Sequence, residues 1–141
     1  MTGGVRRPRV LFVCVENSCR SQMAEAFLRR LSAGRVEAES AGSRPSGTVN
    51  PRAVAAMAEV GCDLTTHASK SLEDVAPRTP GAAQRFDVVI TMGCGDACPW
   101  VPAARREDWA LPDPKAMDIE GFRAVRDEIG TRVAALLDSL D

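Results

Sequence analysis

Near the start of the chain, a cysteine is followed after five residues by an arginine and a serine. The segment is Cys14-Val15-Glu16-Asn17-Ser18-Cys19-Arg20-Ser21. The continuous apolar residues 10–13 before it predict a buried strand, and the periodic apolar residues after it predict a helix. A loop between a strand and a helix can direct several backbone N–H groups at one anion, to which the helix N-terminus adds partial positive charge. The segment therefore predicts an oxyanion site built by residues 15–21.

The side chains of this segment suit nucleophilic attack on a tetrahedral anion. The positive field of the loop favours the thiolate form of Cys14, which is the nucleophilic form. Arg20 offers a fork of N–H donors that matches two oxygens of the anion. Ser21 can donate its hydroxyl hydrogen to the thiolate, and the Asn17 amide can fix the loop by bonding its backbone. Cys19 fits a structural thiol of the loop better than a second nucleophile.

Two more cysteines, Cys94 and Cys98, follow a second predicted buried strand at residues 87–92. Their spacing would suit half of a zinc site, but the chain offers no second Cys or His pair to complete one. We therefore predict no metal site, and two unrelated loop thiols are the other simple interpretation. Parallel strands end at one edge of a sheet, so these cysteines are expected near the Cys14 loop.

The order of the predicted elements indicates the α/β fold class. We predict four strands, at residues 10–13, 36–40, 87–92 and, more weakly, 109–111. Helices are predicted for residues 21–34 and 51–61 and for the periodic segment that ends near Leu140, with no more than a short irregular helix in residues 72–86. Strands that alternate with helices favour a parallel sheet, whose ligands bind beyond the carboxyl ends of its strands.

Length, composition and charge limit the remaining possibilities. A chain of 141 residues with 45% hydrophobic residues suits one globular domain, which we place at residues 9–141 after a flexible N-terminus of residues 1–8. A formal net charge of −1 gives no bulk field for nucleic acid or an acidic membrane. The apolar residues 10–13 are too few for a signal or membrane segment, so we predict a cytoplasmic protein, in which its five cysteines stay reduced.

These motifs resemble the low-molecular-weight tyrosine phosphatase superfamily, whose loop is Cys, five residues, Arg, and then Ser or Thr. The resemblance covers nearly the whole chain. It implies a single-domain three-layer sandwich with a four-stranded parallel sheet. Two enzyme classes share that fold, the phosphatases and the thiol-dependent arsenate reductases, and the loop alone does not choose between them.

Three features favour an arsenate reductase of the thioredoxin-coupled type. Reducing arsenate takes two electrons, which Cys94 and Cys98 could supply, whereas a phosphatase needs none. Gln22 stands where the phosphatases usually have proline. The phosphatases also commonly follow their Asp-Pro pair with tyrosines that recognise aryl phosphates, and this chain has no tyrosine.

The resemblance implies a mechanism without a bound cofactor. Cys14 attacks arsenate, Cys94 then attacks Cys14 and arsenite leaves, and Cys98 moves the disulfide to the Cys94–Cys98 pair. Thioredoxin reduces that pair with electrons from NADPH by way of thioredoxin reductase. Asp113, followed by Pro114, matches the family's loop aspartate and could protonate the leaving water, although a plain turn residue is the alternative.

Several alternatives remain open from the sequence. Many thioredoxin-linked relatives have a longer spacing between the last two cysteines, so mycothiol or glutathione could replace the role of Cys98. A tyrosine or small-molecule phosphatase is a second possibility. A non-catalytic oxyanion or redox sensor that signals through Cys94 and Cys98 is a third. In every case phosphate or sulfate would compete for the same loop.

One position departs from the family pattern. Some thioredoxin-linked members bind potassium behind the loop, through ligands that correspond to Asn17, Glu25, Ser40 and an acidic residue at the position of Lys70. The Lys70 ammonium could replace the ion, so we predict no potassium requirement, with a plain surface lysine as the alternative. His67, the only histidine of the chain, is expected to be a structural hydrogen-bonding residue.

Overall fold

Four parallel strands form the sheet of this protein, for which a computed structural model describes residues 7–75, 86–93, 101 and 103–140. The strands are β1 (Arg9–Cys14), β2 (Glu37–Gly42), β3 (Phe86–Thr91) and β4 (Ala103–Asp108). Their order in the sheet is β2-β1-β3-β4, and every neighbouring pair is parallel. Because β1 lies inside the sheet and ends at Cys14, this cysteine lies at the carboxyl edge of the sheet.

The helices connect these strands in the predicted order. They are α1 (Arg20–Ser32), α2 (Pro51–Ala58), α3 (Leu72–Val75) and α4 (Ile119–Leu140), with a short 3-10 turn at Pro114–Ala116. Asn50 caps α2 by accepting a hydrogen bond from the Arg52 N–H at 2.8 Å, and Pro51 takes the first helical position. None of the helices in the described part of the chain is long and apolar enough to cross a membrane.

Alternate side chains of β1 enter two different cores. Val10 and Phe12 join the larger core, to which α1 and α4 contribute apolar side chains, whereas Leu11 and Val13 join a smaller one. The smaller core is covered by α3 through Leu72 and Val75. Helices thus lie on both faces of a parallel sheet, which explains the continuous apolar run of β1. The predicted three-layer α/β sandwich is confirmed.

The weaker strand predicted at residues 109–111 is wrong, because the fourth strand ends before them, at Asp108. The sequence of β4 is Ala-Ala-Arg-Arg-Glu-Asp, and its residues alternate between half-buried and exposed. An edge strand needs few apolar residues, so hydrophobicity alone overlooks it. Trp109 is nevertheless buried, and its ring centroid lies 5.8 Å from that of Phe12.

Some predicted features lie outside the described residues. These are Cys94 and Cys98, most of the segment predicted as irregular at residues 72–86, and residues 1–6 of the predicted N-terminus. The division into residues 1–8 and 9–141 therefore stays a prediction. The described neighbours of these segments, Val75, Phe86 and Gly93, fix where each segment leaves the fold.

Glu59, directly after α2, ties that helix to α4. Its carboxylate accepts hydrogen bonds from Arg123 Nη2 at 2.7 Å and Arg126 Nη1 at 2.7 Å. These two guanidinium groups lower the pKa of Glu59 from 4.5 to about 2. A carboxyl group whose pKa is lowered by folding stabilises the fold above its unfolded pKa, and the benefit is lost as the pH falls towards the folded value.

We therefore expect Glu59→Gln to lower the free energy of unfolding at pH 7, and the difference from wild type to shrink as the pH falls from 4.5 towards 2. Urea unfolding at a series of pH values measures this. Glu128→Gln is the matched control, because it removes a carboxylate whose partner, Arg132, lies on the same helix. A difference for Glu59→Gln that stays constant over this pH range would contradict the prediction.

Candidate active site

The loop between β1 and α1 turns its backbone carbonyls away from its centre. They accept hydrogen bonds from surrounding N–H groups, Val15 from Arg44 at 2.8 Å, Glu16 from Ser46 at 3.0 Å, Ser18 from Asn50 at 3.0 Å and Cys19 from Met23 at 2.9 Å. Within the described part of the chain, the backbone N–H groups of residues 15–19 have no acceptor. N–H groups that remain free in a loop of this kind form an anion cradle. The geometry is that predicted for an oxyanion site.

Two backbone features allow this tight loop. Asn17 has a φ of +51°, in the left-handed region that asparagine tolerates better than most residues. Gly42, the last residue of β2, lies so close that a Cβ there would be 2.4 Å from the Val15 carbonyl oxygen. A larger residue than glycine at position 42 would displace the loop from the end of the sheet.

A serine hydroxyl lies beside the Cys14 thiol. Ser21 Oγ lies 2.8 Å from Cys14 Sγ, and Ser21 Oγ also accepts a hydrogen bond from Asn17 Nδ2 at 2.8 Å. Because Asn17 donates to that oxygen, the hydroxyl hydrogen of Ser21 is free to point at the sulfur. Asn17 Oδ1 accepts from the Lys70 N–H at 2.7 Å, so this amide bonds the backbone of a neighbouring segment rather than that of its own loop.

Arg20 joins the oxyanion loop to the chain that follows two other strands. Its side chain is buried, and Nη1 donates to the backbone carbonyls of Met92, after β3, and of Leu111, after β4, the latter at 2.9 Å. Nε and Nη2 have no acceptor among the described residues. One nitrogen therefore holds the arginine in place, and the other two remain available to an anion.

Cys19 behaves differently from Cys14. It is buried, and this burial raises the pKa of its thiol to about 11, with a smaller opposing effect of a hydrogen bond from Ser18. The negative charges of Asp113 and Cys14 raise that pKa further. Cys19 is therefore protonated and weakly nucleophilic at neutral pH, which supports its interpretation as a structural thiol.

A buried amide fixes the back of the loop. Gln22 Nε2 donates to Asn17 Oδ1 at 2.9 Å and to the Ala68 carbonyl at 2.8 Å, and Gln22 Oε1 lies 2.9 Å from His67 Nδ1. Gln22 thus does more than replace the proline of the phosphatases. Burial lowers the pKa of His67, so the ring is neutral at pH 7 and Nδ1 must carry its hydrogen to serve the Gln22 oxygen. His67 has the expected structural role.

Lys70 lies beside Glu25 and Ser40, two of the three other side chains that correspond to potassium ligands of the family. Its Nζ is 3.4 Å from Glu25 Oε1, which also accepts a hydrogen bond from Ser40 Oγ at 2.5 Å. Glu25 is buried, and the ammonium group supplies a positive charge beside it. Lys70 is therefore more than a surface lysine. With its ammonium group beside Glu25, these residues do not fit an additional potassium ion. The described chain also contains no group of three or more His, Cys, Asp or Glu residues suited to a metal ion.

We expect the catalytic rate to stay within about twofold when potassium replaces sodium at constant ionic strength, because Lys70 already pairs with Glu25. Steady-state rates in the two salts measure this. Lys70→Ser is the informative variant, since it leaves the Glu25 carboxylate open to a cation. A several-fold stimulation of the wild-type protein by potassium would contradict the expectation.

Asp113 lies on the surface and caps a turn. It is exposed, and its Oδ1 accepts a hydrogen bond from the Lys115 N–H at 3.1 Å, at the start of the 3-10 turn. Asp113 is therefore a turn residue, which is the alternative considered from the sequence. A catalytic role is compatible with it, because the second carboxylate oxygen has no hydrogen-bond partner among the described residues and the negative charge of Asp113 acts on Cys19.

Sequence reasoning missed Asp108, which anchors the start of the segment that carries Cys94. Asp108 Oδ1 accepts hydrogen bonds from Thr91 Oγ1 at 2.6 Å and from the Gly93 N–H at 3.0 Å. Gly93 has a φ of +77°, a conformation that favours glycine. An aspartate at the end of a polar segment gave no signal, because the contact depends on the alignment of β3 with β4.

Comparison with known proteins places the chain in a family. The family model described as low molecular weight phosphotyrosine protein phosphatase matches residues 9–141. The chain belongs to this family. The fold expected from the resemblance is thereby confirmed.

Relatives within the family carry a more specific name. A protein of Synechocystis sp. named glutaredoxin arsenate reductase is 42% identical over 132 residues, which cover 92% of this chain and 95% of the relative. A solved structure of an arsenate reductase in the phosphate binding state is 41% identical, with a TM-score of 0.83, and the match covers 95% of this chain and 99% of that one. The predicted resemblance to arsenate reductases is confirmed.

A third relative is described together with its reductant. The structure of a thioredoxin-dependent arsenate reductase of Corynebacterium glutamicum is 34% identical, with a TM-score of 0.76. The match covers 96% of this chain and 63% of that chain. The relatives thus include one named for glutaredoxin and one described as thioredoxin-dependent.

Proposed function

We propose that this protein is an arsenate reductase that works in the cytoplasm with Cys14 as its nucleophile. The observation that supports the proposal most strongly is the loop itself, with free N–H groups at residues 15–19 around a cysteine that faces a hydroxyl donor. The names of the relatives favour arsenate over a phosphate ester as substrate. Cys94 and Cys98 give the chain the two further thiols that a reduction requires.

The first step is displacement of water from arsenate by the Cys14 thiolate. A new sulfur–arsenic bond forms while one arsenic–oxygen bond breaks. The free N–H groups of the loop, with Nε and Nη2 of Arg20, stabilise the negative charge on the arsenate oxygens. Ser21 stabilises the thiolate before attack, and Asp113 delivers a proton to the departing oxygen.

The second step transfers two electrons to arsenic. The Cys94 thiolate attacks the Cys14 sulfur, the sulfur–arsenic bond breaks, and its electron pair stays with arsenic, which leaves as arsenite. A disulfide between Cys14 and Cys94 remains. Cys98 then attacks Cys94, which frees Cys14 as a thiolate and moves the disulfide to Cys94 and Cys98.

The last step returns electrons to the Cys94–Cys98 disulfide. A dithiol partner of the thioredoxin type reduces it, with electrons that come from NADPH through thioredoxin reductase, and no cofactor is bound to the chain itself. Glutathione with glutaredoxin, or mycothiol, would instead attack the arsenic adduct or the disulfide from outside. The relative named for glutaredoxin makes this second route worth testing directly.

NADPH oxidation in the presence of arsenate tests the proposal and its reductant. Thioredoxin with its reductase should support multiple turnovers, and phosphate and sulfate should inhibit competitively. Parallel assays contain glutathione, glutaredoxin and glutathione reductase, or the corresponding mycothiol system. If turnover occurs only in a glutathione or mycothiol assay, thioredoxin is not the reductant. If no assay yields arsenite, the proposed function is wrong.

A phosphatase activity is the second candidate, because the family model describes phosphotyrosine protein phosphatases and the loop geometry suits a phosphoryl group equally well. Hydrolysis of p-nitrophenyl phosphate measures it without any reductant. Under our proposal this hydrolysis is slow beside arsenate reduction, since the chain has no tyrosine to recognise an aryl group. Efficient hydrolysis without arsenite formation would favour the phosphatase.

A further inference from the structure

Glu16 is an unexpected residue in a loop that binds anions. It lies between Cys14 and Arg20, and its carboxylate carries a negative charge where the loop must attract another. Its backbone is held in place, because the Glu16 carbonyl accepts hydrogen bonds from the Ser46 N–H and from Ser69 Oγ, both at 3.0 Å. The side chain therefore starts from a fixed point at the loop and cannot move away with its backbone.

Lys115 neutralises this carboxylate from a different part of the chain. Lys115 Nζ lies 2.8 Å from Glu16 Oε2, although the two residues are 99 positions apart in sequence. The hydrogen bond that Lys115 donates to Glu16 is the main cause that raises the pKa of Lys115, followed by the Glu16 charge and, after an opposing effect of burial, the charge of Asp113. The ammonium group is thus close to two acidic groups of the site, Glu16 and Asp113, and stays charged at neutral pH.

The backbone of Lys115 is also held. Its N–H donates to Asp113 Oδ1 at 3.1 Å, and its carbonyl accepts a hydrogen bond from Arg52 Nη1 at 2.9 Å. The Arg52 guanidinium lies over the Phe122 ring, 5.1 Å from its centroid. The side chains of Glu16 and Lys115 therefore both extend from backbone that hydrogen bonds hold in place.

The pair is poorly placed to stabilise the fold. The Lys115 side chain is 48% exposed and the Glu16 side chain 37% exposed, and ion pairs of this exposure contribute little to folding. An unpaired carboxylate in the loop would repel a doubly charged anion, and it would repel a singly charged anion about half as strongly.

We infer that Lys115 is a specificity-determining residue of the oxyanion site, which cancels the charge of Glu16 and so allows the loop to accept doubly charged oxyanions. The inference rests on the proposed oxyanion loop, but it does not require that arsenate is reduced. It assigns Lys115 an effect exerted through Glu16 rather than a direct contact with the anion.

Phosphate binding, measured by calorimetric titration at pH 8 with Lys115→Met, Glu16→Gln and the double variant, tests the inference. Lys115→Met should weaken phosphate binding roughly threefold to tenfold, as expected for one unpaired charge acting on a doubly charged ion through partly screened solvent. Glu16→Gln should bind at least as tightly as wild type. The double variant should return to wild-type affinity, because it contains neither charge.

The pH dependence separates this effect from a structural one. Near pH 5.5 phosphate is mostly singly charged, so the defect of Lys115→Met relative to wild type should be clearly smaller than at pH 8. A loop distorted by the substitution would weaken binding equally at both values. Arg132→Met, which removes a positive charge from the Arg132–Glu128 pair within α4, is the control and should leave phosphate binding unchanged.

Two results would overturn the inference. One is wild-type affinity of Lys115→Met for phosphate at pH 8. The other is a double variant that keeps the full defect of Lys115→Met, which would mean that Lys115 contacts the anion itself. Normal phosphate binding by a wild-type protein that produces no arsenite would refute the proposed function and leave these comparisons valid.

Discussion

Cys14→Ser should produce no arsenite above the uncatalysed background, and the loss should be at least about a thousandfold, as for the removal of other catalytic nucleophiles. A serine hydroxyl at this position is not ionised at neutral pH and cannot later accept attack by a thiol. The free N–H groups of residues 15–19 and the Arg20 side chain remain, so phosphate should still bind. Arsenite analysis and phosphate titration on the same preparation measure both effects.

Cys62→Ala is the matched control for this variant. Cys62 is a buried cysteine of the main core, outside the loop, so its loss should leave the turnover number close to that of wild type in protein that remains folded. A Cys14→Ser protein that still forms arsenite at a substantial rate would show that another thiol is the nucleophile.

Cys94→Ser should fail at a later step and lose turnover by roughly a hundredfold or more. The first bond between Cys14 and arsenic can still form, but the thiol that should attack Cys14 and leave the electron pair on arsenic is missing. Alkylation of Cys14 by iodoacetamide should proceed at the wild-type rate, which separates this defect from damage to the loop. The assay contains thioredoxin as the only reductant.

Cys98→Ser provides the comparison for Cys94→Ser. It should form arsenite once, with a disulfide left between Cys14 and Cys94, and then stop unless glutathione or mycothiol is added. Normal arsenite formation by Cys94→Ser would contradict the relay. Full multiple turnover of Cys98→Ser with thioredoxin alone would assign the final exchange to another thiol.

The elements next to Cys14 were predictable because local rules determine them. An apolar run in β1 has to be buried on both faces, and the spacing of Cys14 and Arg20 requires a tight loop before a helix. The structure confirms the buried strand and the tight loop. It also shows what holds the loop in shape, since the backbone carbonyls of residues 15–19 accept hydrogen bonds from donors outside the loop. The Cys14–Ser21 contact also follows from sequence spacing.

Features that depend on distant parts of the chain were not predictable in this way. β4 was missed because an edge strand made of Arg105, Arg106 and Glu107 has no hydrophobic signature. Arg20 was expected to present its fork to the anion, and only the packed fold shows that Nη1 is occupied by carbonyls that follow β3 and β4. The pairing of Glu16 with Lys115 likewise requires the final arrangement of loops.

The different roles that we propose for the cysteines explain why the loop alone did not identify the reaction. Cys14 and its loop suit attack on either arsenate or a phosphate ester. The choice between them comes from Cys94 and Cys98 and from the names of the relatives. Arg20 links the two parts, because it holds the carbonyl of Met92, two residues before Cys94.

A single-turnover experiment shows whether the cysteines of this chain supply both electrons to arsenate. Fully reduced protein, freed of every added thiol, is mixed with excess arsenate, and both arsenite and the remaining thiols are counted. We expect about one arsenite and the loss of about two thiols per chain, with the disulfide found between Cys94 and Cys98 by peptide mapping. Unchanged thiols and no arsenite, from protein that binds phosphate normally, would contradict it.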